Sequence, residues 1–137
     1  MDKFKNALDQ IRNLDCEMVD FKIVDANGRL HHVTIPTANL TEKKLEFGFG
    51  FDGSNFGFAE TKKSDFIARP IIGESVQLDP CFEDPTATFM CEVWEAGVEI
   101  HPFAGDPRNV LKKALKLMQD MGIAQEALFE SFHQKLS

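Results

Sequence analysis

Glycine and phenylalanine dominate residues 47–58, and this stretch restricts the possible folds more than any other part of the sequence. The residues of the two types are Gly48, Gly50, Gly53 and Gly57, and Phe47, Phe49, Phe51, Phe56 and Phe58. Glycine lets the backbone bend sharply, while aromatic rings anchor such a bend against other apolar groups. One carboxylate, Asp52, lies among them. We therefore expect an irregular loop that holds Asp52 ready to meet a cation.

Composition narrows the class of protein. A chain of 137 residues is long enough for one domain with a sizeable core. Fifteen basic against 22 acidic residues give a net charge of −7, which repels phosphate backbones and argues against nucleic-acid binding. No apolar run approaches the length of a membrane span, and the first residues lack the apolar core of a signal peptide. We expect a cytoplasmic protein that binds no membrane.

The number and spacing of the cysteines and histidines give no indication of a metal or redox site. Cys16, Cys81 and Cys91 are odd in number and have no Cys-x-x-Cys spacing, so free thiols are expected. His31 and His32 are adjacent on a predicted strand and therefore point to opposite faces, which excludes joint ligation of one metal ion from that strand.

Apolar periodicity predicts a mixture of helices and strands. Helical spacing is found over residues 2–14 with Asp2 as the cap, from Thr41 through Leu45, from Pro107 to Met121 with Asp106 as the cap, and over 124–136. Strand patterns cover residues 17–24, 29–36, 65–70, 75–78 and 86–94, and Asn27-Gly28 suits the turn between the first two. These elements predict an α+β fold, a twisted mixed sheet with flanking helices.

The spacing Gly48-x-Gly50-x-x-Gly53 matches the dinucleotide-binding fingerprint, but its context does not. That fingerprint requires a strand before the glycines and a helix after them, so that helix N–H groups face a pyrophosphate. Here residues 41–47 are predicted to be helical, no helix is predicted after Gly53, and Asp52 would repel phosphate. Nucleotide binding by this loop is therefore not expected.

Three short motifs resemble the amino-terminal region of glutamine synthetase. They are Phe-Asp-Gly-Ser at residues 51–54, Ser64-Asp65, and Asp106-Pro107-Arg108-Asn109, and the resemblance extends over residues 15–129. It implies a β-grasp-like domain over residues 1–105, followed at 106–137 by a helical segment similar to the start of the catalytic domain. The family reaction is the ATP-dependent ligation of ammonia to glutamate.

The resemblance assigns roles to four residues. In glutamine synthetases the aspartate similar to Asp52 reaches into the active site of a neighbouring subunit, helps bind ammonium and favours its deprotonation. Ser54 and Asn55 would line the ammonium side of that site, with Asn55 standing where the family usually has serine. Asp65 resembles an aspartate that orders the closing flap. The alternative interpretations are an ordinary turn aspartate for Asp52 and a strand-edge charge for Asp65.

Cofactors and partners follow from the same resemblance. The complete family enzyme uses ATP with Mg²⁺ or Mn²⁺, whereas no cofactor or metal is expected in this chain, because it departs from the family's Glu-x-Glu-Phe strand. Glu126 and Glu130 have helical spacing instead. We expect a catalytically incomplete domain that associates with itself or with a full-length glutamine synthetase. An interaction or regulatory module that docks through the phenylalanine-rich loop, and a truncated gene product, are the alternatives.

Overall fold

A computed structural model describes residues 2–58 and 65–123 of the protein. Its α-helices are α1 (Lys3–Asn13), α2 (Glu42–Phe47) and α3 (Pro107–Asp120). Its strands are β1 (Met18–Val24), β2 (Leu30–Pro36), β3 (Phe49–Asp52), β4 (Asp65–Pro70), β5 (Gln77–Leu78), β6 (Thr86–Glu95) and β7 (His101–Pro102). Two short 3₁₀ helices cover Thr37–Asn39 and Gly53–Phe56. None of the helices in the described ranges is long and apolar enough to cross a membrane.

The strands form one mixed sheet with β6 at its centre. The order is β2-β1-β6-β4-β3, and the short strands β5 and β7 also pair with β6. β1 runs parallel to the first half of β6, whereas β4 runs antiparallel to its second half. β1–β2 and β3–β4 are antiparallel pairs. The predicted α+β class with a β-grasp-like mixed sheet is confirmed.

Alternation along the strands places the hydrophobic core on one face of the sheet. Val19, Phe21 and Ile23 of β1 are fully buried. They share this core with alternate residues of β4 and β6 and with the apolar side of α1, namely Phe66, Ala68, Ala87, Phe89, Cys91, Val93, Ala7, Leu8 and Ile11. A period of two on each strand and of 3.6 on α1 brings these side chains to the same layer.

The opposite face of the sheet carries polar residues of β1 beside apolar residues of β6 such as Met90 and Trp94. Asp20 of β1 is completely buried there and accepts hydrogen bonds from the Thr34 hydroxyl at 2.7 Å and, in one tautomer, from His32 Nδ1 at 2.8 Å. Lys22, on the same face, forms a short ion pair with Asp79. That pairing lowers the pKa of Asp79, chiefly through the hydrogen bond from Lys22. The segment that carries Asp79 therefore covers part of this face.

The caps predicted at Asp2 and Asp106 are confirmed, and Thr41 is a third cap. The side chains of Asp2, Thr41 and Asp106 accept backbone N–H groups of the first turns of α1, α2 and α3. Pro107 lies in the first turn of α3, where no intrahelical donor is needed. Asp106 is also buried, and its second carboxylate oxygen accepts the Val93 N–H of β6 at 2.9 Å. Burial raises the pKa of Asp106, while these hydrogen bonds oppose the rise.

Three elements differ from the sequence-based expectation. Residues 49–52 form strand β3 rather than part of an irregular loop, because they pair with β4 in the order Phe49–Ala68, Gly50–Ile67, Phe51–Phe66 and Asp52–Asp65. β5 covers only Gln77–Leu78, and the two-residue strand β7 was not predicted. The helix predicted over residues 124–136 lies outside the described residues.

Gly48 joins α2 to β3 in a conformation that tolerates no side chain. Its φ is +82°, and a Cβ atom there would lie 2.2 Å from the carbonyl oxygen of Ala68. At Gly50, two residues further on, the nearest atom would be 3.9 Å away and φ is not positive. We expect Gly48→Ala to lower the free energy of unfolding by about 3 kcal/mol or more.

Gly50→Ala is the matched control and should change the free energy of unfolding by less than about 1 kcal/mol. Urea denaturation followed by circular dichroism measures both variants. Equal losses for the two would contradict the close approach of Gly48 to β4.

Candidate functional site

Asp52 lies at the point where β3 ends and the chain turns. Its side chain is exposed, and Oδ1 accepts the N–H of Ser54 at 2.9 Å, so that Asp52 caps the 3₁₀ helix Gly53–Phe56. Gly53 is buried against the Phe66 ring, where a Cβ atom would lie 2.2 Å from a ring carbon. Gly57 ends the turn at φ +71°. The bend expected from the glycines is thus present, and it presents Asp52 to solvent.

A cluster of phenylalanine rings supports this bend from inside. Phe51, Phe56 and Phe58 contact one another and also contact Phe66 and Phe103, with ring centroids 4.8–6.5 Å apart. Several of the pairs have the edge-to-face geometry that aromatic quadrupoles favour. The rings of the bend are partly buried and packed against the core. They therefore anchor the bend against the core, as the sequence analysis expects of aromatic rings at a bend.

The turn between β1 and β2 holds the bend from the other side. The ring of His31 makes an edge-to-face contact with Phe56 at 4.7 Å. Its Nε2 lies 2.8 Å from Asp25 Oδ2, and Asp25 Oδ1 accepts the N–H groups of Asn27 and Arg29. The hydrogen bond to His31 is the main cause of a lowered pKa of Asp25. Sequence reasoning missed this contact, because residues 31 and 56 belong to separate elements.

The structure brings Asp52 and Asp65 together. They are directly opposite each other on β3 and β4, and both side chains are exposed. Opposed residues of an antiparallel pair have Cβ atoms about 4.5–5.5 Å apart, and like charges at such positions repel each other. β4 lies between β3 and β6, so Asp65 is not on an edge strand. Two carboxylates at one rim form a local negative potential suited to a cation.

Ser54 and Asn55 follow Asp52 within the same 3₁₀ helix. Ser54 is half-buried and Asn55 is exposed. The backbone N–H of Ser54 bonds to the Asp52 carboxylate, which links these neighbouring residues. The four residues selected from the sequence therefore lie at one end of the β3–β4 pair.

The described residues offer no metal centre. No group of three or more histidine, cysteine, aspartate or glutamate side chains is close enough to hold a metal ion in residues 2–58 and 65–123. His31 and His32 have different partners, Asp25 and Asp20, as expected from their opposite directions. All three cysteines are free thiols, with Cys16 and Cys91 buried and Cys81 exposed. Burial raises the pKa of Cys91 to about 12.

The surroundings of the glycine spacing also differ from a dinucleotide site. Helix α2 precedes the glycines, and a 3₁₀ helix of four residues follows them instead of an α-helix. The sequence predicted no helix there, so the 3₁₀ turn is a small departure. A single such turn provides no long helix whose N-terminus could face a pyrophosphate.

Comparison with protein families and known proteins gives a consistent result. The family model for the glutamine synthetase β-grasp domain matches residues 15–96. A glutamine synthetase of Methylococcus capsulatus is 35% identical over 126 residues, which cover 91% of this chain and 26% of that protein. A 3-hydroxylaminophenol mutase of Cupriavidus pinatubonensis is 31% identical over 120 residues, covering 87% and 25%. The chain spans about a quarter of the length of these relatives.

Solved structures agree on the fold. The Plasmodium falciparum glutamine synthetase determined by cryo-electron microscopy superimposes with a TM-score of 0.67 and 25% identity, over 87% of this chain and 22% of that one. A GmaS/ADP complex superimposes with a TM-score of 0.70 and 21% identity, over 83% and 25%. The second likeness concerns the fold alone.

The lowered pKa of Asp25 predicts how the stability of the folded protein depends on pH. A carboxylate with a lower pKa in the folded state stabilises it above the unfolded pKa of about 4, and this contribution is lost as pH falls through the folded pKa. We expect Asp25→Asn to be less stable than the parent protein at pH 7. The difference should shrink steadily below about pH 4, as measured by urea denaturation at each pH.

Asp84→Asn is the control, because the Asp84 side chain is exposed and makes no ion pair within the described ranges. A difference between Asp25→Asn and the parent protein that is constant from pH 7 to pH 2 would contradict the role of the charged carboxylate.

The facing carboxylates of Asp52 and Asp65 lead to a second prediction, about stability and salt. Replacing one of two facing carboxylates removes a repulsion, so Asp65→Asn should raise the free energy of unfolding by roughly 0.5 kcal/mol at low salt. Because the groups are exposed, the gain should disappear in about 1 M NaCl. Thermal unfolding at the two salt concentrations tests this, and a loss of stability at low salt would contradict the repulsion.

Proposed function

The chain belongs to the glutamine synthetase β-grasp domain family, and on that premise we propose that it supplies Asp52 to an ammonium site completed by a neighbouring subunit. The reaction served is the ATP-dependent ligation of ammonia to glutamate. One observation carries the proposal: Asp52 is exposed at a bend that aromatic packing and a hydrogen bond from Ser54 hold in place. A rigid, outward-facing carboxylate suits a group donated to another surface.

The chemistry of this half-site follows from its charge. A carboxylate attracts ammonium and accepts its N–H groups in short charge-assisted hydrogen bonds. When a second surface covers Asp52 and excludes water, the lower dielectric strengthens that attraction. The same carboxylate can accept a proton from the ammonium ion, which leaves ammonia with a free electron pair for attack on an acyl carbon. The Ser54 hydroxyl and the Asn55 amide oxygen are further acceptors beside it.

Asp65 contributes in a different way. It lies opposite Asp52 at the start of β4, directly after the undescribed residues 59–64. We assign it the role of ordering the adjoining flap of the completed site, with no direct part in the proton transfer. The second negative charge also strengthens the local potential that attracts a cation.

The remaining chemistry requires groups that the described residues do not contain. ATP-dependent ligation passes through a phosphorylated intermediate, which metal ions and arginines stabilise when the cofactors are bound. We assign ATP with Mg²⁺ or Mn²⁺ to the larger part of the enzyme, which is supported by the lack of a group of three or more metal-ligating side chains among the described residues. Residues 1–105 then form the β-grasp domain, residues 106–137 begin the next domain, and the chain alone is catalytically incomplete. Its partner is a second copy or a full-length synthetase.

An interaction module is the second candidate function, and helix α3 favours it. The apolar residues Val110, Leu117 and Met121 are more than half exposed. They are spaced by seven and four positions and so share one side of the helix. Helix α3 thus carries exposed apolar surface, as does Phe47 of the phenylalanine-rich stretch at 59% exposure, whereas the rings of the bend pack against the core. A docking role does not require Asp52, which separates the two candidates.

A chimeric enzyme tests the first candidate. Residues 1–123 of this chain replace the corresponding first quarter of the Methylococcus capsulatus glutamine synthetase. In that chimera, Asp52→Asn should lower kcat/KM for ammonium by about 100-fold, the usual loss for one aligned electrostatic partner in an active site. KM for glutamate should change little. The 137-residue chain alone should form no detectable glutamine from glutamate, ATP and ammonium.

Glu83→Gln, which removes an exposed charge elsewhere, is the matched control and should leave the kinetics of the chimera unchanged. The proposal fails if the isolated chain turns over, if a correctly assembled chimera is inactive, or if Asp52→Asn has no effect on an active one.

A further inference from the structure

His31 of β2 contacts the bend that carries Asp52, although β2 and β3 are the two outer strands of the sheet. His31 pairs across the sheet with Ile23, which is fully buried, and cross-strand partners project from the same face. Its side chain therefore projects from the core face, where its ring meets Phe56 with centroids 4.7 Å apart and planes at 72°. The contact thus joins segments from opposite edges of the sheet.

His31 gives Phe56 a ring contact outside the glycine- and phenylalanine-rich stretch. The other two ring contacts of Phe56 within the described residues are with Phe51 and Phe58 of the same stretch. A 3₁₀ turn of four residues has poor hydrogen-bond geometry and little stability of its own. The position of this turn, and of the Asp52 carboxylate that caps it, therefore depends on the rings that pack against it.

The ring of His31 is itself held at its polar end. Its Nε2 lies 2.8 Å from Asp25 Oδ2, and Asp25 Oδ1 accepts the N–H groups of Asn27 and Arg29 at 2.8 Å each. Because the pKa of Asp25 is lowered, chiefly by the bond to His31, the carboxylate is ionised at neutral pH and Nε2 must donate to it. His31 thus connects the turn between β1 and β2 to Phe56.

We propose that His31 is a positioning residue for the ammonium site, which acts through Phe56 and the 3₁₀ turn to hold the Asp52 carboxylate in the direction that a neighbouring subunit requires. This inference rests on the proposed function of Asp52. The His31 side chain is partly exposed and is not part of the buried core, so its loss should displace the turn while the sheet stays folded. Even a small misplacement of a group that touches the substrate lowers the rate.

His32, the next residue, provides the matched comparison. It points to the opposite face, where its Nδ1 lies 2.8 Å from Asp20 Oδ1. Its one ring contact within the described ranges is with Phe82. Each histidine therefore pairs with an aspartate, but in the described part of the chain only His31 contacts the bend.

Amide hydrogen exchange of the ¹⁵N-labelled 137-residue protein tests whether His31 holds the turn. The reporters are the N–H groups of Ser54 and Phe58, which bond to the Asp52 carboxylate and to the Gly53 carbonyl. His31→Ala should speed their exchange, relative to amides of β6, by about three- to tenfold, the effect expected for the loss of one aromatic contact.

Two further variants show which part of His31 matters. His32→Ala should leave the exchange of the turn relative to β6 unchanged, even though it removes a hydrogen bond from the buried Asp20. His31→Phe keeps a ring beside Phe56 and should exchange more slowly at the turn than His31→Ala.

Kinetics of the chimera with the Methylococcus capsulatus enzyme test the effect on the reaction. His31→Ala should lower kcat/KM for ammonium by about tenfold, with little change in KM for glutamate. A double-variant cycle gives a readout that a merely structural role would not produce. In the Asp52→Asn background, His31→Ala should lower kcat/KM by less than about twofold, because the group that it positions is already lost. General damage to the fold would lower kcat/KM by the same factor in both backgrounds.

Parent-like kcat/KM of His31→Ala in a chimera that Asp52→Asn impairs would overturn this inference and leave the ammonium site standing. Equal losses in the two backgrounds would also overturn it. So would unchanged exchange of the turn in His31→Ala, or exchange in His31→Phe that is as fast as in His31→Ala. An Asp52→Asn chimera with parent-like kinetics would instead overturn the proposed function, and this inference with it.

Discussion

The structure depends on strand β6, because this strand pairs with four other strands of the sheet. This strand bonds to β1 through its first half and to β4 through its second half, and it also pairs with the short strands β5 and β7. Beyond Met90, where the pairing with β1 ends, polar groups of the segment that follows β6 hydrogen-bond to the β6 backbone. The Val93 N–H donates to Asp106, and the Val93 carbonyl accepts from the Phe103 N–H and the Asn109 amide. The hydrogen bonds at Val93 thus join the central strand of the sheet to α3 and to the segment before it.

The same sheet explains how a charged group can be both rigid and exposed. β4 pairs with β6 on one side and carries β3 on the other, so the end of β3 lies at the rim. Aromatic rings pack below the bend, and Ser54 bonds to Asp52 above it. Asp52 is therefore exposed at the rim, while the chain around it is held in place from both sides.

The polar face of the sheet has a different character from the core. Unsatisfied buried atoms of Asp20, Thr88 and Trp94 all belong to strands on this face. Each is a cost to the folded state that an apolar residue of similar shape would avoid.

Local signals in the sequence determined the helices, their caps and the first hairpin. Asp2, Thr41 and Asp106 act on N–H groups within a few residues, and Asn27-Gly28 requires only its own turn geometry, with Gly28 at φ +79°. Asp52 also stood out from the sequence, because glycines and phenylalanines on both sides of it predicted a supported bend. Its assignment to an ammonium site came from family resemblance.

Tertiary structure alone decided which residues meet. β3 is a strand only because β4, more than ten residues further along the chain, pairs with it, and Asp65 faces Asp52 for the same reason. His31 reaches Phe56 through a contact between separate elements. Hydrophobic periodicity shows which side of an element is apolar, but not what covers it, as the exposed residues of α3 demonstrate. Burial and cross-strand pairing are long-range properties, and a local pattern of residues does not encode them.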